Sequence, residues 1–301
     1  MATFLKTTES YHPGARTLAR DYLVSPEIFE EEQERIFRRG WLCIGRAADL
    51  PEPGSYRLID VAGESIIVLR DRSDVPRAFY NTCRHRGARL LCERAEGMLS
   101  GSIQCPYHAW TYALDGQLIG APHMKDVEGF DRSDYPLHGA AIDMWEGFAF
   151  VNLGPAPQPL RESLGPLVGR FTRFNLPLLR RAMTIEYDVH ANWKIVFQNY
   201  NECLHCPVIH PELNGRTPYD SGANDLVDGP FLGGSMELGA GFTSMTMSGN
   251  LCAVPVGELP REDHARVYYY SILPNLLLSM HHEYVMTHTL WPRSPALTHI
   301  V

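Results

Sequence analysis

Two short segments constrain this chain of 301 residues more than anything else in it: Cys83-Arg84-His85 and, after nineteen intervening residues, Cys105-Pro106-Tyr107-His108. Each offers one thiolate and one imidazole. Four such donors on two turns can hold one tetrahedral zinc, or a [2Fe–2S] centre in which the thiolates take one iron and the imidazoles the other. Zinc fingers usually pair Cys with Cys and His with His, whereas Cys-x-His followed by Cys-x-x-His suits the iron–sulfur case. Exchanging two anionic thiolates for neutral imidazoles raises the potential into roughly −150 to +300 mV, the range of a one-electron donor to an oxygen-activating iron.

The surroundings of these segments read as β-structure. Short strands are expected at 56–59, 65–69, 78–80, 102–104, 110–113 and 148–153, with Asp115-Gly116 as a hairpin turn. Before them, Ser25 to Gly40 reads as one helix opened by Ser-Pro, with Glu31, Glu32 and Glu34 on a solvated face. Three prolines between Gly154 and Pro159 suggest a linker. The expected organisation is a helical arm over 1–40, a β-sandwich domain over 41–154 and a second domain over 155–301.

Composition excludes several functions. With 27 Lys+Arg against 35 Asp+Glu the net charge is −8, which argues against a nucleic-acid partner. No apolar run reaches the ~18 residues of a membrane span, and the start lacks an export signal, so a cytoplasmic location is expected. Seven cysteines under those conditions predict no disulfide framework, with Cys43 and Cys92 as packing residues.

In the second domain the pattern predicts helices over 160–174 and from Asn192 into the Glu202 region. Strands are expected near 184–190, 235–248, 266–273 and 284–291. This is an α+β arrangement, an antiparallel sheet with helices on one side. Glu202 and His205, three apart on a helix, would share a face, and Pro207 would end that helix so that His210 follows on a turn. Two imidazoles and a carboxylate on one side of Fe(II) leave positions open for oxygen. Two other readings use the same residues: Cys203-x-x-Cys206 as a redox pair, and Cys203, His205, Cys206 and His210 as a zinc site.

The strings Asn-Thr-Cys83-Arg-His85-Arg-Gly87-Ala and Cys105-Pro106-Tyr107-His108-Ala-Trp110 resemble the signature of the Rieske non-haem iron oxygenase α subunits. The resemblance implies a Rieske [2Fe–2S] β-sandwich followed by a helix-grip (START-like) catalytic domain. It makes Cys83, His85, Cys105 and His108 the cluster ligands, and His205 and His210 the ligands of a mononuclear Fe(II). Glu202 becomes a catalytic carboxylate bridging to a cluster histidine of the neighbouring subunit in a head-to-tail homotrimer. No dinucleotide or phosphate-cradling glycine motif is present, so NAD(P)H would act indirectly, through a reductase or ferredoxin.

The implied reaction is hydroxylation or N-dealkylation of a small aromatic or quaternary ammonium substrate with O2. The run Asn-Glu202-Cys-Leu-His205-Cys is similar to betaine and carnitine oxygenases. Tyr219, Phe231, Phe242, Tyr268 to Tyr270 and Trp291 are candidate pocket aromatics. The family's third iron ligand is an aspartate on a late helix. Here Leu290 to Pro295 reads as a turn and a return strand starts near Leu297, so a C-terminally truncated catalytic domain with an unpaired sheet edge is expected. Asp220, Asp225, Asp228, Glu237 and Asp263 read as loop or surface charges. The competing readings are an impaired fragment that only transfers electrons and a non-catalytic ligand-binding module.

Overall fold

A computed structural model describes residues 12–92 and 94–301. The chain forms two compact units, one over 33–160 and one that joins 161–301 with the residues up to Glu32.

The first unit is built on β1 (Leu42–Arg46), β2 (Ser55–Val61), β3 (Glu64–Arg70), β4 (Pro76–Tyr80), β5 (Glu96–Met98), β6 (Ser102–Gln104), β7 (Thr111–Ala113), β8 (Leu118–Gly120), β9 (Gly139–Trp145) and β10 (Phe148–Asn152). Seven of them make an antiparallel sheet in the order β1-β10-β9-β4-β3-β2-β5, and β6-β7-β8 make a separate three-stranded sheet. The Asp115-Gly116 turn joins β7 to β8, as expected. The core between the sheets holds Ile67, Leu69, Phe79, Ile103, Tyr112 and the two thiols Cys83 and Cys105. Cys43 is fully buried, its thiol pushed up to about 12 by desolvation, whereas Cys92 is exposed and not the packing residue expected.

In the second unit a seven-stranded antiparallel sheet runs β11 (Tyr187–Val189), β17 (Leu297–Ile300), β16 (Val285–Ser294), β15 (Leu276–Met280), β14 (Arg266–Ile272), β13 (Phe231–Glu237) and β12 (Ala223–Asn224). Four expectations are corrected here. The helix over 160–174 is broken into short turns, because Gly165 takes a left-handed φ of +52° and Pro166 follows it. The strand expected over 235–248 ends at Glu237. Pro292 does not end a strand: β16 continues through it to Ser294, and a register shift between Pro292 and Ser294 absorbs the missing donor. β17 is paired on both sides, with β16 and with β11, so it is not the bare edge anticipated.

The two faces of this sheet differ. Tyr268, Tyr270, Ile272, Leu276, Leu278 and Phe231 lie on one face, where the 165–178 segment covers them with Phe171 against Tyr270 and Phe174 against Tyr268. Tyr269, Ser271, Leu277, Ser279 and His288 lie on the other, beneath helix α1 (Trp193–Tyr200). The candidate pocket aromatics are divided, as alternation along a strand requires: Tyr268 and Tyr270 belong to the apolar core and Tyr269 to the α1 side.

Asn192 caps α1, its Oδ1 accepting from Lys194 N–H at 3.0 Å, while its Nδ2 donates to the carbonyls of Leu23 and Pro295. Glu32 corrects another expectation. It is buried rather than solvated, accepting from Trp193 Nε1 at 2.8 Å and pairing with Lys194 Nζ. The arm helix thus ties itself to the first turn of α1. That helix is α-helical over Pro26–Glu32 and becomes a π-turn over Gln33–Phe37, so it stops short of Gly40.

Candidate metal centres

The two Cys/His segments adopt the same turn. Cys83 N–H donates to Ala88 O and its carbonyl accepts from Gly87 N–H; Cys105 N–H donates to Trp110 O and its carbonyl accepts from Ala109 N–H. The residue four past each cysteine is left-handed in both, Gly87 at +72° and Ala109 at +58°. Each turn buries its thiol to 2% exposure and leaves its imidazole nearer the surface. The rings of His85 and His108 stand 4.8 Å apart, and His85 stacks on Trp110 with planes 9° apart.

These donors fit a two-iron cluster. Buried His108 Nδ1 has no hydrogen-bond partner among the described residues, as a nitrogen reserved for a metal would not. Burial pushes the Cys83 thiol up, the Tyr112 hydroxyl opposes this, and neighbouring Cys105 reinforces it. Four such donors, two thiols and two imidazoles, are the set that a [2Fe–2S] centre shares between two irons. Burial also raises the Tyr112 phenol, which keeps its proton available to Cys83 Sγ at 3.3 Å.

Asn81 escaped the sequence reading. It is 1% exposed, its Oδ1 accepts from Leu90 and Leu91 N–H, and its Nδ2 donates to Leu91 O and Ser65 Oγ. One side chain therefore staples the far end of the first ligand loop to the sheet. An Asn two residues before the Cys-x-His loop was the only available signal.

The second constellation lies just beyond α1. Glu202 and His205 meet, but not on a helix: α1 ends at Tyr200, and helix α2 (Cys206–Ile209) begins after His205. The intervening turn is closed by Cys206 N–H to Cys203 O and by a Cys203–Cys206 disulfide with Cα atoms 5.0 Å apart, contrary to the expectation of free thiols. Glu202 Oε2 accepts from Leu204 N–H at 2.7 Å and Oε1 takes His205 Nδ1 at 2.6 Å. Pro207, expected to break a helix, sits in the first turn of α2 where its missing N–H costs nothing. His210 follows α2, its ring 5.4 Å from that of His205.

With Nδ1 held by Glu202, His205 presents Nε2 to Asn199 Nδ2 at 3.4 Å. The two imidazoles fit as two donors of an open iron site, and the described residues bring no third one to them. Three of the carboxylates weighed from sequence have partners of their own. Asp263 is 2% exposed and paired with Arg173 and the Tyr268 hydroxyl; Asp225 pairs with Arg170 and Tyr270. Asp263 is a buried and Asp225 a half-buried ion-pair partner, and neither is a free surface charge. Glu237 is exposed beside Arg266 at 3.7 Å.

Comparison with known proteins identifies the two domains. The profile of the Rieske [2Fe–2S] domain matches residues 40–131, and that of the ring hydroxylating alpha subunit (catalytic domain) matches 176–301. The chain belongs to the Rieske non-haem iron oxygenases. Within them it is 35% identical to the carnitine monooxygenase oxygenase subunit of Acinetobacter baumannii over 202 residues, 65% of this chain and 53% of that protein. It is 35% identical to the glycine betaine monooxygenase oxygenase subunit of Chromohalobacter salexigens over 209 residues, 69% of this chain and 46% of that protein. This Rieske chain spans about half the length of the curated relatives it matches. The crystal structure of the quaternary ammonium Rieske monooxygenase CntA with inhibitor MMV12 superposes with a TM-score of 0.80 at 26% identity, covering 94% of this chain and 74% of that one. Naphthalene 1,2-dioxygenase from a Rhodococcus species, at 24% identity and a TM-score of 0.77, shares the fold. The Rieske domain brings the cluster and the catalytic domain the mononuclear iron as the family's cofactors. No helix among the described residues is long and apolar enough to cross a membrane.

Proposed function

We propose that this chain acts as a terminal oxygenase on small quaternary ammonium compounds, with electrons supplied by a reductase or ferredoxin. Cys83 and Cys105 would hold one iron of the cluster, His85 and His108 the other, and His205 and His210 the mononuclear Fe(II). When bound, the cluster supplies single electrons and Fe(II) activates O2 for insertion into a C–H bond. The observation that carries this reading is the contact of Glu202 with His205 Nδ1, because a carboxylate on the outer nitrogen fixes both tautomer and ring direction of a ligating histidine.

The protein's own groups have separable tasks. The Tyr112 hydroxyl donates a hydrogen bond to Cys83 Sγ, which would favour the more negative, reduced state of a cluster held there. Trp110 holds the His85 ring flat. Tyr200 fixes the end of α1 by its hydroxyl on Ser279 Oγ at 2.8 Å, and Ser271 Oγ donates to Asn201 Oδ1 at 2.9 Å. These two bonds stand just before Glu202 and set where the turn begins. Tyr269, with Tyr200 6.1 Å away, offers aromatic faces on the α1 side that suit a trimethylammonium group.

The resemblance to the family supports a head-to-tail trimer in which Glu202 meets His108 of the neighbouring chain. Glu202 is open to solvent, and Leu204, Val208 and Ile209 around it are 57%, 80% and 64% exposed, an apolar patch suited to a second copy. The relatives named for carnitine and glycine betaine support the substrate class.

The test is substrate-dependent oxygen uptake by protein with measured iron and acid-labile sulfide, supplied with NAD(P)H and a reductase. L-carnitine or glycine betaine should stimulate uptake and release a dealkylated or hydroxylated product, while anthranilate should not. Uptake with anthranilate alone would overturn the substrate class. No uptake from fully iron-loaded protein would leave the electron-transfer reading.

A further inference from the structure

Given the quaternary ammonium reading above, on which this rests, we propose that His281 is a specificity-determining residue. Its buried, unpartnered imidazole nitrogen shares a hydrogen bond with a hydroxyl on the substrate's chain. The substrate class is thereby narrowed from quaternary ammonium compounds in general to those that carry a hydroxyl.

Alternation from Ser279 and a ring contact with Tyr269 put His281, the residue after β15, on the α1 side of the sheet. The Tyr269 ring lies 6.1 Å from that of Tyr200 and 6.5 Å from that of His281, edge to face in both cases. The three rings thus form a row that starts at the end of α1, two residues before Glu202. Tyr284 stacks on His281 with planes 17° apart, which occupies one face of the imidazole and leaves its nitrogens at the ring edge. His281 is 4% exposed, and its buried Nδ1 has no hydrogen-bond partner among the described residues. A buried nitrogen left unmet costs stability that a bound partner would return. His288 Nδ1 is also unmet on this face, but its residue is only partly buried and lies 6.4 Å from Tyr200, at the other end of the row.

The charge around Nδ1 selects the group it meets. Desolvation, with neighbouring His282 adding to it, holds the His281 pKa down to about 4, so near pH 7 the ring offers one N–H and one lone pair but no charge. Glu283, two residues on, is buried, with Oε2 3.5 Å from His282 Nδ1, and burial holds the His282 pKa down as well. Desolvation and then the Glu283 charge push the Tyr284 phenol up. A substrate carboxylate brought to this end would meet that negative charge, whereas a hydroxyl can donate to the lone pair or accept from the N–H. The 244–256 segment is tied to the same turn, by Ser244 Oγ to Glu283 and by Val256 N–H to the His282 carbonyl at 2.7 Å. A ligand therefore reaches Nδ1 by displacing part of that segment.

The experiment is calorimetric binding to the full chain with cluster and iron loaded, kept anaerobic and without reductase so that no turnover enters. The probes are L-carnitine and γ-butyrobetaine, which is the same molecule without the hydroxyl. L-carnitine should bind about 10–100-fold more tightly, the cost of leaving one buried polar atom unmet. His281→Phe, which keeps the ring stack, should bring the two dissociation constants together. His281→Asn, whose amide falls near the position of Nδ1, should restore part of the ratio. Equal binding of the two probes by the unsubstituted protein would overturn the hydroxyl contact and leave the quaternary ammonium reading standing, whereas binding of neither would overturn both. A ratio that survives His281→Phe and disappears in His288→Phe would overturn the assignment to His281. The probe comparison on the unsubstituted protein stands even if a variant fails to fold.

Discussion

Glu202 Oε1 lies 2.6 Å from His205 Nδ1, and its other oxygen caps Leu204 N–H, so one carboxylate fixes both the ring and the turn that carries it. Replacing it by Gln keeps the size and a hydrogen bond but removes the charge. We expect Glu202→Gln to slow electron passage from cluster to iron and to lower oxygenation by about 10–100-fold, as for other partners of metal-bound histidines. The Rieske EPR signal should be unchanged, and a variant that lost that signal would show a role in folding instead.

Tyr112 Oη lies 3.3 Å from Cys83 Sγ and accepts from Arg84 N–H at 3.0 Å. A hydrogen bond to a cluster sulfur stabilises the reduced state. Tyr112→Phe should therefore lower the cluster potential by about 20–60 mV, the one-electron equivalent of one ordinary hydrogen bond. Cluster content should be retained. Voltammetry checks this, and an unchanged or raised potential would mean that the hydroxyl serves only Arg84.

Asp263 pairs with Arg173 and Tyr268 under the apolar face of the second sheet. Asp263→Asn leaves the guanidinium without its counter-charge and should cost about 2–4 kcal/mol, short of the full buried-pair penalty because Arg173 is 33% exposed. Denaturant unfolding measures that loss. Mononuclear iron content should not fall, which separates this residue from the iron site.

His281 is 4% exposed, stacked on Tyr284 with ring centroids 4.1 Å apart, near Tyr269 and next to His282. Desolvation holds its pKa down to about 4 from 6.5, and the His282 charge adds to this. Because the folded value lies below the unfolded one, the unfolded chain takes up the proton first as pH falls. Stability should be unaffected above about pH 6.5 and decline between 6.5 and 4, by an amount on the order of 3 kcal/mol at full expression. His281→Phe keeps the stack and should flatten the fall of Tm over that window; an unchanged slope would assign the acid sensitivity to other groups.

Much of this was legible in the sequence because it rests on local chemistry. The spacing of Cys83, His85, Cys105 and His108 pointed to the two loops that fold into the same turn with their imidazoles side by side, and Asp115-Gly116 named its hairpin. What escaped depends on tertiary context. The strand Leu276–Met280 is buried on both faces and so shows no alternation to read. Glu202 and His205 were brought together as foreseen, but by a cystine-closed turn, because α1 ends at Tyr200. Glu32, Asp225 and Asp263 look like any surface acid until Trp193, Arg170 and Arg173 arrive from distant segments.

The most direct measurement of the central claim is a single turnover. Protein with its cluster reduced and its mononuclear site loaded with Fe(II) is mixed with O2 and L-carnitine, and cluster oxidation and product are followed together. The account predicts that the cluster is oxidised in step with product, and that Glu202→Gln slows both equally. Cluster oxidation without product, or at a rate that Glu202→Gln leaves untouched, would contradict it.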